Sequence, residues 1–191
     1  NFLGSSHNLI KYLHLPVQAG SNRILKAMNR NYTREHYLDL VTKIRLACPD
    51  ISLTTDIIVG FPGETNQDFQ ETCDLVRQVN FDQIYIAQFS TRPGTAAAKL
   101  VDDVTTEEKK QRELTLDKIL KQGASENRKK QIDQTVEVLL EEKRGVHYFG
   151  RTNHNQQILL TSPDDKKYSL GQRYLATVTG ARNFSLAGQL L

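Results

Sequence analysis

The chain has 191 residues, 38% of them hydrophobic and 25% charged, with a formal net charge of +3. That balance excludes a wholly disordered chain, and no apolar run approaches the ~20 residues a bilayer span needs. Two cysteines, Cys48 and Cys73, cannot build a disulfide framework or a four-cysteine metal site, so a reducing, cytoplasmic setting without membrane attachment is expected. The charge is evenly spread: residues 1–100, 101–132 and 133–191 each carry one excess cation, so bulk charge neither supports nor excludes a nucleic-acid partner.

The first hundred residues alternate strand-like and helix-like patterns. Tyr12 to Leu15 is a short strand stopped by Pro16, and Gln18 to Ser21 is the loop after it. Ser21 is placed to cap a short helix carrying Ile24, Leu25 and Met28, and Thr33 to cap a second ending at Pro49. Leu53 to Val59 reads as a second strand, running into Gly60-Phe61-Pro62-Gly63. Thr65 and Asp68 form a capping box for a third helix with Phe69, Thr72, Cys73, Val76 and Val79 on one face, and Phe81 to Phe89 is the third strand. This order implies an α/β fold with a parallel sheet, whose carboxyl edge would carry Gln18, the Gly60–Glu64 turn and Ser90–Thr95.

Residues 105–131 read as a polar helical connector capped by Thr105 and Glu108, presenting Leu114, Leu116, Ile119 and Leu120, with Gly123 as its weak point. The period then changes to two. Val136, Val138 and Leu140, then Ile158 to Leu160, then Tyr174, Ala176 and Val178, then Leu186 and Leu190 suggest about five short strands in a small antiparallel barrel of the oligonucleotide-binding kind.

Individually, the candidate site residues admit plain readings. Glu64 at a helix start is either a capping carboxylate or a ligand group, and Arg30 and Arg92 are either solvated loop cations or partners for a phosphate or carboxylate. Asp56, a carboxylate in a mostly apolar strand, needs a partner or water. The five histidines show no metal-ligand spacing.

The succession HLPVQAGS, MNRNYT, TTDIIVGFPGET and STRPGTAAAKL resembles the MiaB-type tRNA methylthiotransferases of the radical S-adenosylmethionine superfamily. YFGRT, LGQRYLATVTGA and LAGQL resemble a TRAM domain. The resemblance implies the second half of a radical SAM βα barrel over residues 1–104, a helical connector over 105–132, and an RNA-binding TRAM β-barrel over 133–191. It implies methylthiolation at C2 of an isopentenyl-modified adenosine beside the tRNA anticodon, using S-adenosylmethionine and [4Fe-4S] clusters. The threonylcarbamoyladenosine-directed and ribosomal-protein-directed relatives are alternatives, as is a non-catalytic RNA-binding module. The family's CxxxCxxC cluster loop is absent, so a fragment without cluster ligands, inactive alone, is expected.

By resemblance, Gln18 and Ser21 would face the cofactor's sugar, Ile58, Gly60 and Phe89 its adenine, and Arg30 and Arg92 carboxylate or substrate charge, with Glu64 in the same cofactor-binding set. In the C-terminal barrel, Arg144, Arg151 and Arg173 are the candidate contacts to the tRNA anticodon stem-loop, alongside His147, Tyr148, Lys166, Lys167, Tyr168 and Arg182. Loss of the preceding strands would leave Tyr12–Leu15 as an open edge, expected to self-associate, to be covered by residues 1–11, or to meet the N-terminal half of the same protein.

Overall fold

A computed structural model of the chain describes residues 9–162, 167–182 and 184–191; the turn expected at Pro163–Asp165, Lys166, and residues 1–8 of the expected covering segment lie outside the described residues. The chain divides into two compact units, one of residues 13–46 and 53–123, the other of residues up to Tyr12, 47–52 and 124–191.

In the first, a three-stranded sheet has the order β1 (Tyr12–His14), β2 (Ser52–Val59), β3 (Gln83–Gln88). β2 and β3 run parallel, with Thr54 opposite Gln83 and Val59 opposite Gln88. β1 stops short of Pro16, which has no amide hydrogen to give a ladder. The parallel alignment nevertheless resumes at Gln18, which bridges Ile57. Alternation along β2 buries Leu53, Thr55, Ile57 and Val59, while Asp56 and Ile58 are half-buried on the other face. Asp56 lies opposite Tyr85 in register and Ile58 opposite Ala87, so these four share one side of the sheet.

The helices are α1 (Asn22–Ala27), α2 (Arg34–Ala47) and α3 (Asn66–Val79). Thr65 and Asp68 form the expected capping box at α3, and Phe69, Thr72, Cys73, Val76 and Val79 are buried along it. Ser21 precedes α1 but makes no side-chain cap; its hydroxyl donates to Asp68 Oδ1 at 2.6 Å. A charged acceptor outcompetes the backbone amides of a short helix. Asp68 also takes hydrogen bonds from Arg23, which carries its guanidinium on to the Gly63 carbonyl at 2.5 Å. One carboxylate thus ties α1 to the first turn of α3. Burial alone would raise the Asp68 carboxyl, but the bonds from Arg23, Ser21 and Thr65 outweigh it and hold it well below the usual carboxylate range. Gly20 passes close to α3: a Cβ there would lie 2.4 Å from Thr72 Cα and 2.6 Å from the Glu71 carbonyl oxygen.

A 3₁₀ turn (Ala96–Lys99) precedes α4 (Thr106–Lys129), which continues unbroken through Gly123. Thr105 caps it by accepting from Glu108 N at 3.1 Å, whereas the Glu108 carboxylate pairs with Arg112. Leu116 and Leu120 are buried as expected; Leu114, expected on the same face, is exposed, and Lys109 and Arg112 are buried instead. Among the described residues no helix is long and apolar enough to cross a membrane.

The remaining strands, β4 (Thr135–Arg144), β5 (His147–Thr152), β6 (Gln157–Thr161), β7 (Arg173–Ala181) and β8 (Ser185–Leu190), close a barrel in the order β4-β5-β6-β8-β7. All neighbours are antiparallel except β6 and β8. Val138, Leu140, Tyr148, Ile158, Leu160, Ala176, Val178, Leu186 and Leu190 fill its interior, each from the inward half of a two-residue alternation.

Two outcomes follow from the ties to α3. Gly20→Ala should lower stability by about 1–3 kcal/mol, since backbone rather than a side-chain tip must give way; an unchanged urea midpoint would refute the close approach. Asp68→Asn should lower stability by on the order of 2 kcal/mol at pH 7 through the lost cap and charged hydrogen bonds. Because the folded carboxyl is depressed, its contribution is present above the unfolded value of about 3.9 and is lost as pH falls below it. Wild type and Asp68→Asn should therefore converge in stability on acidification, as read by unfolding at pH 7, 5 and 3.

Candidate functional site

Three strand ends arrive at the same edge of the sheet because the strands run the same way. After β1, Gln18 takes a left-handed conformation (φ 71°), donating its amide to the Asp56 carbonyl and accepting from Ile58 N, both at 2.9 Å. A left-handed glutamine is uncommon, and it persists here because two ladder bonds fix it from either side. After β2 the chain turns at Gly60 (φ 69°) into Phe61, and after β3 it passes through Phe89 to Arg92. Phe61 packs edge-on against Phe89 with centroids 5.2 Å apart, in a cluster with Ala19, Ile24 and Leu25, backed by Met28, Tyr32 and Ala97.

These turns border a cavity of about 650 Å³. Gln18, Arg30, Ile58, Phe89 and Arg92, five of the expected site residues, line it together, as do Met28, Asp56, Phe61 and Tyr85. Its apolar lining includes the Phe61–Phe89 pair and Met28; its polar lining includes Gln18, the two exposed arginines and Asp56, with Asn29, Gln88, Ser90 and Thr95. Asp56 finds its partner in His14, whose Nε2 is 3.4 Å from Oδ2, while His14 Nδ1 meets Thr54 Oγ1 at 2.9 Å. Tyr85 completes this row with its ring edge-on to His14, centroids 5.8 Å apart.

Ser21, Gly60 and Glu64 do not line the cavity. Ser21 is committed to Asp68. The Glu64 side chain is 1% exposed, accepts from Gly60 N at 2.6 Å, and pairs with Arg112 Nη1 at 2.5 Å. Burial pushes its carboxyl up, while the Gly60 amide and Arg112 pull it back toward ionisation. Glu64 therefore shapes the turn from inside. Phe61 and Tyr85 were not singled out from sequence, although Phe61 stands within the Gly-Phe-Pro-Gly turn and strand alternation sets Tyr85 across from Asp56.

In the barrel, Arg144, Arg151 and Arg173 are each engaged by a carboxylate. Arg144 makes two 2.8 Å bonds to Glu142 and lies over Phe149. Arg151 meets Glu141 at 3.3 Å and Arg173 meets Glu137 at 2.8 Å, and both arginines border a shallow cavity of about 170 Å³ with those carboxylates. Arg144 does not border it.

A large aromatic-walled cavity with two cations and one carboxylate suits an adenosine joined to an amino-acid zwitterion, the composition of S-adenosylmethionine. An iron–sulfur cluster finds no such fit. Cys48 and Cys73 are buried and burial raises both thiols, Cys73 to about 11, whereas a cluster needs thiolates. Among the described residues no three His, Cys, Asp or Glu side chains gather as a metal site.

Residues 4–76 match the sequence profile of the Radical SAM superfamily. Over 98% of its length the chain is 44% identical to the tRNA-2-methylthio-N(6)-dimethylallyladenosine synthase of Geobacillus thermodenitrificans, covering 36% of that protein. It is 43% identical to the enzymes of the same name from Pelotomaculum thermopropionicum, covering 42% of it, and Geobacillus kaustophilus, covering 36%. The chain thus spans well under half the length of these relatives. Its motifs, their order and this near-complete alignment make the chain similar to one part of the longer MiaB-type methylthiotransferases of the radical SAM superfamily.

Proposed function

We propose that the cavity binds S-adenosylmethionine and that the chain serves a radical SAM enzyme adding a methylthio group to C2 of the isopentenyl-modified adenosine beside a tRNA anticodon. The observation that carries this reading is the meeting of Gln18, Arg30, Ile58, Phe89 and Arg92 at one cavity on the carboxyl edge of a parallel sheet. The relatives' names support the isopentenyl-type substrate over the threonylcarbamoyl and ribosomal-protein alternatives.

In this reading the sheet is the second half of a βα barrel. Further strands of the same protein complete it and supply the cluster, without which the chain is inactive. When bound, S-adenosylmethionine supplies the methyl group and the radical. The residues here hold it: Phe61 and Phe89 wall its apolar ring, Gln18 offers hydrogen bonds beside the sugar, and Arg30 and Arg92 face carboxylate or substrate charge. The closed barrel of residues 135–190 is a TRAM domain that contacts the tRNA anticodon stem-loop, and the setting is the cytoplasm. What supports the RNA contact is the barrel's small closed architecture and its arginines; the carboxylate beside each one means that phosphate must displace glutamate to bind.

Titration calorimetry tests the cofactor reading: S-adenosylmethionine should bind the chain, and Phe89→Ala should weaken binding about tenfold through loss of one aromatic contact. No heat from wild type at millimolar ligand would sink it. For RNA, Arg151→Ala with Arg173→Ala should weaken binding of an anticodon stem-loop and flatten its salt dependence by about two charges. Glu137→Gln with Glu141→Gln should do the opposite by freeing both arginines; identical salt slopes in all three proteins would reject this face.

A further inference from the structure

The strand-end turns bordering the cavity are gripped from behind by α4. Its buried stripe begins with two cations, Lys109 and Arg112, which are 6% and 4% exposed and do not border the cavity. Lys109 Nζ contacts both Asp102 oxygens at 2.6 and 2.7 Å, reaches the Phe89 carbonyl at 3.3 Å, and stands 5.4 Å from the centroid of the Phe89 ring. Its aliphatic stem crosses Gly60 so closely that a Cβ there would lie 2.2 Å from Lys109 Cγ. Arg112 holds Glu64 through the carboxylate at 2.5 Å and the carbonyl at 3.1 Å, and its guanidinium lies over Phe69. Glu64 in turn accepts the Gly60 amide. Two side chains less than one helical turn apart therefore fix the end of β2 and the end of β3.

Stability alone is a poor reason for this arrangement. Taking charges out of water costs several kcal/mol per ion, and a well-packed apolar pair commonly serves as well. Glu64 Oε1 and Arg112 Nε moreover lack any hydrogen-bond partner among the described residues, so the pair does not recover its full desolvation cost. What charged groups supply and methylenes cannot is direction: an ammonium held over one ring and one carbonyl, and a carboxylate held against one amide.

We propose that Lys109 and Arg112 are positioning residues for the cavity, acting through Phe89 and through the Gly60–Phe61 turn to set the separation of its two aromatic walls. This rests on the cavity being the S-adenosylmethionine pocket, and the aromatic geometry gives it a readout independent of that ligand.

The test uses the full chain labelled with fluorophenylalanine, with the Phe89 resonance assigned by substitution. Lys109→Met keeps the stem over Gly60 and removes the ammonium. It should shift the ligand-free Phe89 resonance and weaken S-adenosylmethionine binding about tenfold with an unchanged melting temperature, and Lys109→Arg should restore both within about threefold. A Phe89 resonance unmoved in Lys109→Met overturns the proposal, as does weakened binding that follows a fallen melting temperature and is not rescued by arginine. If wild type binds no S-adenosylmethionine, the cofactor reading fails, and the ligand-free resonance alone decides whether Lys109 positions the ring: shifted by methionine and restored by arginine supports it, unmoved overturns it.

Discussion

The parallel ladder between β2 and β3 is the constraint on which the cavity depends. Parallel strands deliver every following turn to one edge, so residues far apart in sequence become neighbours without contacting one another directly. Register matters as much as direction. A slip of one residue would send Asp56 and Ile58 to the side that now buries Ile57 and Val59, exchanging a mixed lining for a buried carboxylate without a partner. The alignment outlasts β1 itself: Gln18 continues it beyond Pro16 by adopting a backbone conformation that costs on the order of 1–3 kcal/mol, held by the two amide bonds to β2.

Around this frame, two buried carboxylates organise the loops. Asp68 gathers Ser21, Arg23 and Thr65, and Glu64 gathers Gly60 and Arg112. In each case one carboxylate fixes the approach of a loop to a helix start, where its charge also meets the positive end of the helix dipole. The two carboxylates differ in consequence. Asp68 has enough donors to overcome its burial, whereas burial prevails at Glu64.

Much of the fold is legible in the sequence because it is local. Alternation in Leu53–Val59 and Val136–Leu140, the Thr65/Asp68 box and the turn glycines each act within a few residues. Barrel closure is not legible in this way, since β4 meets β7 and β6 meets β8 only through pairings distant in sequence. The cavity was legible in part. Gln18 and Arg92 follow from strand ends, Arg30 is a loop cation after a helix, and Ile58 and Phe89 rest on the family resemblance, whereas Ser21 and Glu64 have hydrogen-bonding choices that sequence leaves open, and both are taken by neighbours inside the fold. The connector reads as polar because it is rich in lysine, and composition does not show which cations are buried. A helical stripe through Lys109, Arg112, Leu116, Leu120 and Ala124 was the available signal, and it is a stripe whose first two members are charged yet buried. The carboxylate beside Arg173 arises from the β4–β7 pairing, distant in sequence like closure, whereas the one beside Arg151 comes from the β4–β5 hairpin.

Cys73 has a consequence of another kind. It sits on α3 with no exposed surface, and burial raises its thiol to about 11, so an electrophile in solution meets neither an accessible sulfur nor an appreciable fraction of thiolate. Alkylation at that position must wait for the helix to lift from the sheet, and its rate reports how often that happens. The molecule thereby contains a native clock for the opening of one helix, readable by mass without an introduced probe.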